Sequence, residues 1–133
     1  MLWRPASPVA AARNGTILNI NADTIASELA GAFEAEKLIL FTNTDGVYNG
    51  KRLLKTLTLK KARKLIHKKI AKGGMEVKLK NCMRAIRQGV KRVHIVNGIS
   101  PHSLLMEIFT KKGVGTMILS EREKNIYTKE AKA

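Results

Sequence analysis

Short apolar runs alternate in this chain with segments whose apolar residues recur at helical spacing, and this alternation restricts its fold more than any other feature. The clearest run is Lys37–Thr42 (KLILFT), which is typical of a strand buried in a parallel sheet. Further strands are predicted at 16–20, Arg92–Val96 and Val114–Leu119. Helical segments between such strands predict an α/β fold, and we expect a three-layer α/β/α sandwich with a mainly parallel sheet.

Helix signals lie between these strands. Thr58 is a predicted N-cap, and Gly73-Gly74 separates the helix that follows it from the next one. The predicted helices cover Ala22–Phe33, 59 to about Ala71, Met75–Gln88 and Pro101–Phe109.

The length of 133 residues favours one domain. We expect an N-terminal extension or truncated start at 1–13, with a targeting peptide as an alternative, a nucleotide-binding domain at 14–120, and a frayed, charged tail at 121–133. The single cysteine, Cys82, excludes a disulfide framework and a cysteine-based zinc site. No apolar run has the roughly 18 residues that a membrane span needs.

The charge is strongly positive, because 25 Lys and Arg residues face 10 Asp and Glu residues, a net charge of +15. Such a balance favours anionic ligands or partners. The basic helix Lys60–Lys72 is most simply a solvated face, with contact to a polyanion or to a protein partner as alternatives. Only three Phe, two Tyr and one Trp are present, so a base-stacking platform is not expected and nucleic acid is not the favoured partner.

Two motifs place polar residues at predicted helix starts. In Asn19–Asp23 (NINAD), three short polar side chains lie where a strand gives way to a helix, a position that binds ligands or simply caps the helix. In Gly73–Lys78 (GGMEVK), paired glycines and a first-turn lysine suit a phosphate, although a plain turn with a solvated lysine has the same pattern. The three histidines lack metal-ligand spacing, so no metal site is predicted.

The order of NINAD, KLILFTNTDGVY, GGMEVK, HIVNG and PHSLLMEIFTKKGVGTMI resembles the acetylglutamate kinases of the amino acid kinase superfamily, from about Val9 to Leu119. The resemblance implies phosphorylation of the side-chain carboxylate of N-acetyl-L-glutamate by ATP with Mg²⁺, a step of arginine biosynthesis. It implies substrate binding by Asn19, and catalytic roles for Asp23 as organiser and Lys78 as stabiliser of the transferring phosphoryl group. It implies a nucleotide site formed by Thr42, Asn43, Asp45, Gly46, Val47, Tyr48, Gly73, Gly74, Met75 and Lys78.

The resemblance also implies regulation and assembly. In arginine-sensitive members the matching effector residues are His102, Glu107, Gly113 and Gly115. A PII-type signalling protein, a homo-oligomer, and a bacterial cytoplasmic or plastid location are further implications. Asn43 stands where the family usually has an acid, for which Asp45 is a candidate substitute.

About 150 family residues that precede NINAD have no match here, so we expect the ATP-binding half alone, inactive in isolation. A degenerate, non-catalytic half that binds nucleotide, arginine or a partner, and a basic nucleic-acid-binding protein, are the alternatives.

Overall fold

A computed structural model describes residues 7–109 and 113–130 of the chain. Within these ranges the elements are β1 (Val9–Ala11), β2 (Ile17–Asn19), α1 (Ala22–Ala32), β3 (Lys37–Thr42), β4 (Tyr48–Asn49), β5 (Arg52–Leu53), β6 (Thr56–Thr58), α2 (Leu59–His67), α3 (Gly73–Arg87), β7 (Arg92–Asn97), α4 (Ser103–Phe109), β8 (Thr116–Leu119) and α5 (Glu121–Glu130). None of the helices in these ranges is long and apolar enough to span a membrane.

The central sheet has four strands in the order β3-β7-β8-β6. Strands β3 and β7 run parallel, with Lys37 opposite Arg92 and Thr42 opposite Asn97. Strands β6 and β8 are also parallel, whereas β7 and β8 are antiparallel. The prediction of a mixed α/β fold with a mostly parallel sheet is therefore confirmed.

Helices cover both faces of the sheet. Because neighbouring strand residues point to opposite faces, Val93 and Ile95 of β7 enter the main core, whereas Arg92 and His94 point away from it. The core face packs against α1, α2 and α3, while His94 contacts α4 and Arg92 contacts α5. This arrangement matches the expected three layers.

The second helix begins as predicted, since Thr58 is the N-cap of α2 and its hydroxyl accepts a hydrogen bond from the Lys61 amide. The helix ends at His67, four residues before the predicted Ala71. The cause is local: Lys69 has a φ of +53°, and the amides of Ile70 and Ala71 both bond to the carbonyl of Leu65.

Short hairpins contain three of the strands that the sequence did not predict, β1, β4 and β5, whereas the fourth, β6, pairs with β8 at the edge of the central sheet. Val9–Ala11 pairs antiparallel with Ile17–Asn19, so the folded region begins before the predicted boundary at residue 14. Tyr48–Asn49 pairs with Arg52–Leu53 inside the segment predicted as a loop. Residues 1–6 of the predicted N-terminal extension lie outside the described residues.

The prediction of a frayed tail is wrong for Glu121–Glu130, which forms α5. Arg92 on β7 holds this helix by an ion pair to Glu123 and by stacking over the Tyr127 ring, 5.1 Å from its centroid. The helix is mainly polar and its contacts are to charged groups, so it carries little of the apolar periodicity by which helices are found. Residues 131–133 of the predicted tail lie outside the described residues.

Candidate functional site

The candidate site is built around an ion pair between Asp23 at the start of α1 and Lys78 in α3. The ammonium group of Lys78 also donates a hydrogen bond to the carbonyl oxygen of Phe41, 3.0 Å away, near the end of β3. The Lys78 side chain is only 12% exposed and the Asp23 side chain 28% exposed. One ammonium group thus joins three elements that are far apart in the chain.

Asn21 fixes the start of α1. Its side-chain oxygen accepts hydrogen bonds from the amides of Asp23 at 3.0 Å and Thr24 at 3.3 Å. Asn21 is therefore the N-cap that the sequence suggested as the simpler role for this motif. The cap holds the Asp23 side chain at the first turn, where it meets Lys78.

A cavity of about 440 Å³ opens beside this ion pair. Its volume lies within the range of small-molecule sites. Residues from the start of α1, the end of β3 and the start of α3 surround it: Asn21, Asp23, Thr42, Asn43, Thr44, Gly74, Met75, Val77 and Lys78. The NINAD motif, the end of the Lys37–Thr42 strand and the Gly73–Lys78 motif therefore meet at one cavity.

The start of α3 offers hydrogen-bond donors to this cavity. Its N-cap, Lys72, makes no side-chain capping bond, so the first amides of the helix are not satisfied by that side chain. Gly73 has a φ of +54°, which a glycine adopts without strain. No atom lies within 4 Å of a Cβ placed on Gly73 or Gly74, so the backbone is open to close approach. Uncapped amides at the positive end of a helix dipole favour an anion.

The loop after β3 divides into two parts. Asn43 and Thr44 line the cavity, but the carboxylate of Asp45 accepts bonds from Asn97 Nδ2 at 2.8 Å and from the Tyr48 hydroxyl at 3.2 Å. Burial and the bond to Asp45 raise the pKa of Tyr48. Asp45 and Tyr48 are not among the cavity-lining residues.

The middle of the same loop is anchored in the core. The Val47 amide donates to Thr116 Oγ1 at 2.8 Å, its carbonyl accepts from Leu54, and its side chain is buried. A Cβ on Gly46 would lie 2.5 Å from Thr116 Oγ1. Gly46 and Val47 were predicted to contact nucleotide. In this structure they pack against Thr116 and anchor the loop to the core.

Asn19 also lies apart from the cavity. It is an exposed residue of β2, pairs with Val9, and does not line the space beside Asp23. The family resemblance implies an ATP site along 43–48 and 70–78, and these segments contain the cavity-lining residues Thr44 and Val77. The sequence did not single out the Phe41 carbonyl, because a backbone carbonyl is not indicated by residue type.

Cys82 lies one helical turn beyond Lys78 and is fully buried. Burial raises the pKa of its thiol to about 12, against the smaller opposing effect of Lys78, so it stays protonated and is not a nucleophile. Among residues 7–109 and 113–130, no three His, Cys, Asp or Glu side chains group as metal ligands.

The predicted effector residues belong to the opposite side of the sheet. Glu107 on α4 is buried, forms an ion pair with His94, and accepts the Val114 amide at 2.9 Å. Burial by itself raises the pKa of the Glu107 carboxyl group. The hydrogen bond and charge of His94, the Val114 amide and the charge of Lys37 outweigh burial, so that the pKa lies below its ordinary value.

Gly113 and Gly115 both approach other groups closely, whereas His102 is exposed. A Cβ on Gly113 would lie 3.2 Å from Glu107, and one on Gly115 would lie 2.0 Å from the carbonyl of Ile95. Residues 110–112 of the same motif lie outside the described residues.

Curated relatives at about 50% identity are acetylglutamate kinases. The enzyme of Synechococcus sp. (strain CC9311) is 52% identical over 117 residues, which is 85% of this chain and 41% of that protein. The enzyme of Kosmotoga olearia is 50% identical over 112 residues, covering 84% of this chain and 40% of that protein. The chain thus spans about two fifths of the length of these relatives.

Solved structures include proteins that superpose on most of this chain. N-acetylglutamate synthase from Neisseria gonorrhoeae, complexed with coenzyme A and L-arginine, superposes with a TM-score of 0.80 at 32% identity, covering 86% of this chain and 27% of that one. Carbamate kinase from Giardia lamblia, bound to AMP-PNP, gives a TM-score of 0.63 at 20% identity over 83% of this chain and 36% of that one, a likeness of fold alone.

The sequence profile of the amino acid kinase family matches residues 6–97, which include NINAD, β3, the Gly73–Lys78 motif and β7. This match covers most of the chain and contains both members of the Asp23–Lys78 ion pair. The chain therefore belongs to the amino acid kinase family.

Proposed function

We propose that this chain is the ATP-binding portion of an acetylglutamate kinase, which phosphorylates the side-chain carboxylate of N-acetyl-L-glutamate. The observation that carries the proposal is the ammonium group of Lys78, held by Asp23 and Phe41 at the wall of a cavity that faces the uncapped start of α3. The relatives at about 50% identity supply the reaction and its substrate.

Lys78 is the proposed stabiliser of phosphoryl transfer. Charge develops on the oxygens of the moving phosphoryl group, and a fixed ammonium group lowers the barrier most when it is already in place. Asp23 keeps the Lys78 ammonium group in position and is the proposed organiser. A base is not required, since the accepting carboxylate is already ionised near neutral pH.

The start of α3 is the proposed phosphate-binding element. The amides of Gly74 and Met75 lie at the positive end of the helix and on the cavity wall. Thr42, Asn43 and Thr44 form the facing wall at the end of β3. ATP fits this site in size, because the cavity has about 440 Å³, and its phosphates would meet the ammonium group of Lys78 and the amides of the start of α3.

Mg²⁺ would reach the site with the nucleotide. The described residues offer no cluster of three ligating side chains, and Mg²⁺ in such sites keeps several waters and takes phosphate oxygens. The oxygen-bearing side chains on the wall are those of Asn21, Asp23, Thr42, Asn43 and Thr44. When bound, the ion would neutralise phosphate charge, while these side chains orient its hydration shell.

The acetylglutamate-binding groups are proposed to come mainly from the part of the relatives that has no match in these 133 residues. The chain spans about two fifths of their length, and Asn19 lies on β2, away from the cavity walls. We therefore expect little kinase activity from the 133 residues alone, because missing donors to the transferring group cost several kcal/mol of transition-state stabilisation. A homo-oligomer or an N-terminal half would complete the site.

Regulation by arginine at Glu107, Gly113 and Gly115, with His102 nearby in sequence, and control by a PII-type protein are parts of the same proposal. Glu107 and Gly113 adjoin each other, which is compatible with one effector site. The cytoplasm of a bacterium, or a plastid, is the compartment in which such an enzyme would work.

Isothermal titration calorimetry with MgADP tests the nucleotide site directly. We expect one-site binding by the wild-type chain and at least about tenfold weaker binding by Lys78→Ala, since a charge-assisted contact contributes on the order of 1.5–3 kcal/mol. Lys80→Ala is the matched control, because Lys80 lies on the same helix, is exposed, and pairs with Glu76 instead. No binding by a folded wild-type chain, or equal loss in both variants, would refute the proposed site.

A further inference from the structure

The densest positive charge of the chain lies outside the Asp23–Lys78 cavity. Residues 46–75 contain ten Lys and Arg residues and no Asp or Glu. Helix α2, in the middle of this stretch, exposes Lys60, Lys61, Arg63 and Lys64, while Ala62 and Leu65 are buried in the core. The helix is thus anchored by its apolar side and presents a cationic face to solvent.

Acidic neighbours do not neutralise this face. In the described part of the chain, ion pairs to carboxylates involve Lys78, Lys80, Arg84, Lys91, Arg92 and His94, and none involves a cation of α2. The nearby carboxylate of Glu121 accepts the backbone amide of Lys60 at 2.9 Å, and this bond helps to lower the pKa of Glu121. The negative charge of Glu121 therefore acts on the backbone at the start of α2 and on Arg63, and the one carboxylate leaves the side chains of α2 with a surplus of positive charge.

The cationic face is concave where α2 meets α5. A cavity of about 450 Å³ lies between the first turns of these helices, and its lining residues are four lysines and one acid together with two uncharged residues: Lys60, Lys61, Lys64, Lys124, Glu121, Thr58 and Asn125. It shares no lining residue with the cavity beside Lys78. Four ammonium groups around one groove suit a chain of anions better than a single carboxylate.

The composition of this face indicates which polyanion fits. The exposed side of α2 has no large apolar residue, whereas protein interfaces depend on buried aromatic and apolar anchors. Six of the seven cations from Lys60 to Lys72 are lysines, which bind as point charges and lack the fork by which arginine pairs with a carboxylate or a phosphate, so binding at this face would depend on charge alone. The apolar side of α2 is already buried, so it cannot insert into a membrane.

We propose that α2 and the first turn of α5 bind the phosphodiester backbone of nucleic acid through Lys60, Lys61, Lys64 and Lys124, without reading bases. The Tyr127 ring of α5 stacks against Arg92, and no aromatic side chain lines the groove, so base stacking is not available. Phosphate contacts alone give binding that is independent of sequence and strongly dependent on salt.

The test is fluorescence anisotropy of a labelled 20-base-pair DNA duplex with the 133-residue chain. Four phosphate contacts predict a slope of about −3.6 for log K against log salt, or about 150-fold weaker binding in 200 mM than in 50 mM KCl. The variant Lys60→Gln, Lys61→Gln, Lys64→Gln, Lys124→Gln should lose most of the affinity and of the slope. Circular dichroism and thermal unfolding would establish that it is folded.

A second variant separates this surface from overall charge. Arg13→Gln, Lys51→Gln, Arg87→Gln, Lys129→Gln removes the same charge from exposed positions outside the groove. Retained affinity in this variant supports the proposal, whereas equal loss in both variants overturns it. Competition by poly-L-glutamate and by unlabelled duplex is a further test. If poly-L-glutamate displaces the labelled duplex as effectively, per charge, as the unlabelled duplex does, the proposal is overturned in favour of an acidic protein partner. None of these outcomes depends on the nucleotide site.

Discussion

Lys78 and Asp23 form an ion pair across the interface between α3 and α1, although 55 positions separate them in the sequence. The same ammonium group reaches the carbonyl of Phe41 on β3. It is therefore both a structural tie between three elements and the only fixed side-chain cation among the residues that line the cavity. Because Lys78 serves both stability and ligand binding, these two properties can be separated only by substitutions of the residues around it.

Substitution of Asp23 by Asn should affect stability. The variant leaves the 12%-exposed Lys78 side chain without its carboxylate, so we expect the free energy of unfolding to fall by about 2 kcal/mol, between the values for exposed and for buried pairs. Urea unfolding monitored by circular dichroism measures it. Glu76→Gln, which breaks the exposed Glu76–Lys80 pair, should cost less than about 0.5 kcal/mol. Equal effects of the two substitutions would contradict the structural role of Asp23.

Gly74→Ala should separate binding from stability. A Cβ at this position meets no atom within 4 Å, and its φ is ordinary, so the unfolding free energy should stay the same or rise by about 0.5–1 kcal/mol. The new methyl group projects from a residue on the cavity wall, and MgADP binding by calorimetry should weaken at least about fivefold. Gly73→Ala is the contrasting variant, because its φ of +54° should make it less stable by about 1 kcal/mol. Unchanged MgADP affinity in Gly74→Ala would remove the start of α3 from the site.

Cys82 should be unreactive while the chain is folded. Its side chain is fully buried, and a thiol pKa of about 12 leaves about one thiolate in ten thousand molecules at pH 8. Ellman's reagent should therefore label the native chain slowly and label the chain in concentrated guanidinium chloride within seconds. Stoichiometric labelling of the native chain within a minute would show that α3 opens around Cys82 far more readily than its burial implies.

Much of the site could be predicted from the sequence because local patterns define it. The apolar run Lys37–Thr42 fixes β3, and Thr58 and Asn21 are caps that their residue types indicate. The direction of β8 could not be predicted, since a short run such as Thr116–Leu119 (TMIL) has the same pattern in a parallel and an antiparallel strand. Strand pairing and long-range contacts decide such features.

The contacts of individual loop residues could not be predicted from the sequence either. Asp45 and Asn43 are two positions apart, yet Asp45 binds Asn97 and Tyr48 while Asn43 faces the cavity. Helix α5 is held mainly by polar contacts, among them those of Arg92 with Glu123 and Tyr127, so apolar spacing did not reveal it. In both cases the interacting partner lies more than thirty positions away in the sequence. Asp45 binds Asn97, and the side chains of α5 contact Arg92.

Glu107→Gln should reveal a pH-dependent contribution of α4 to stability. His94, the Val114 amide and Lys37 face this carboxylate and lower its pKa despite burial, so its ionised form stabilises the fold. A lowered native pKa gives stability that is complete above the unfolded value of 4.5 and is lost as the pH falls through the native value. The free energy of unfolding of the variant should therefore be lower by about 2 kcal/mol at pH 6, and the difference from wild type should shrink below about pH 4.5, as measured by urea unfolding.

Glu36→Gln, which removes an exposed partner of Lys91, should leave the unfolding midpoint almost unchanged at pH 6. A difference between wild type and Glu107→Gln that stays constant down to pH 3 would mean that the Glu107 carboxylate holds α4 by packing alone.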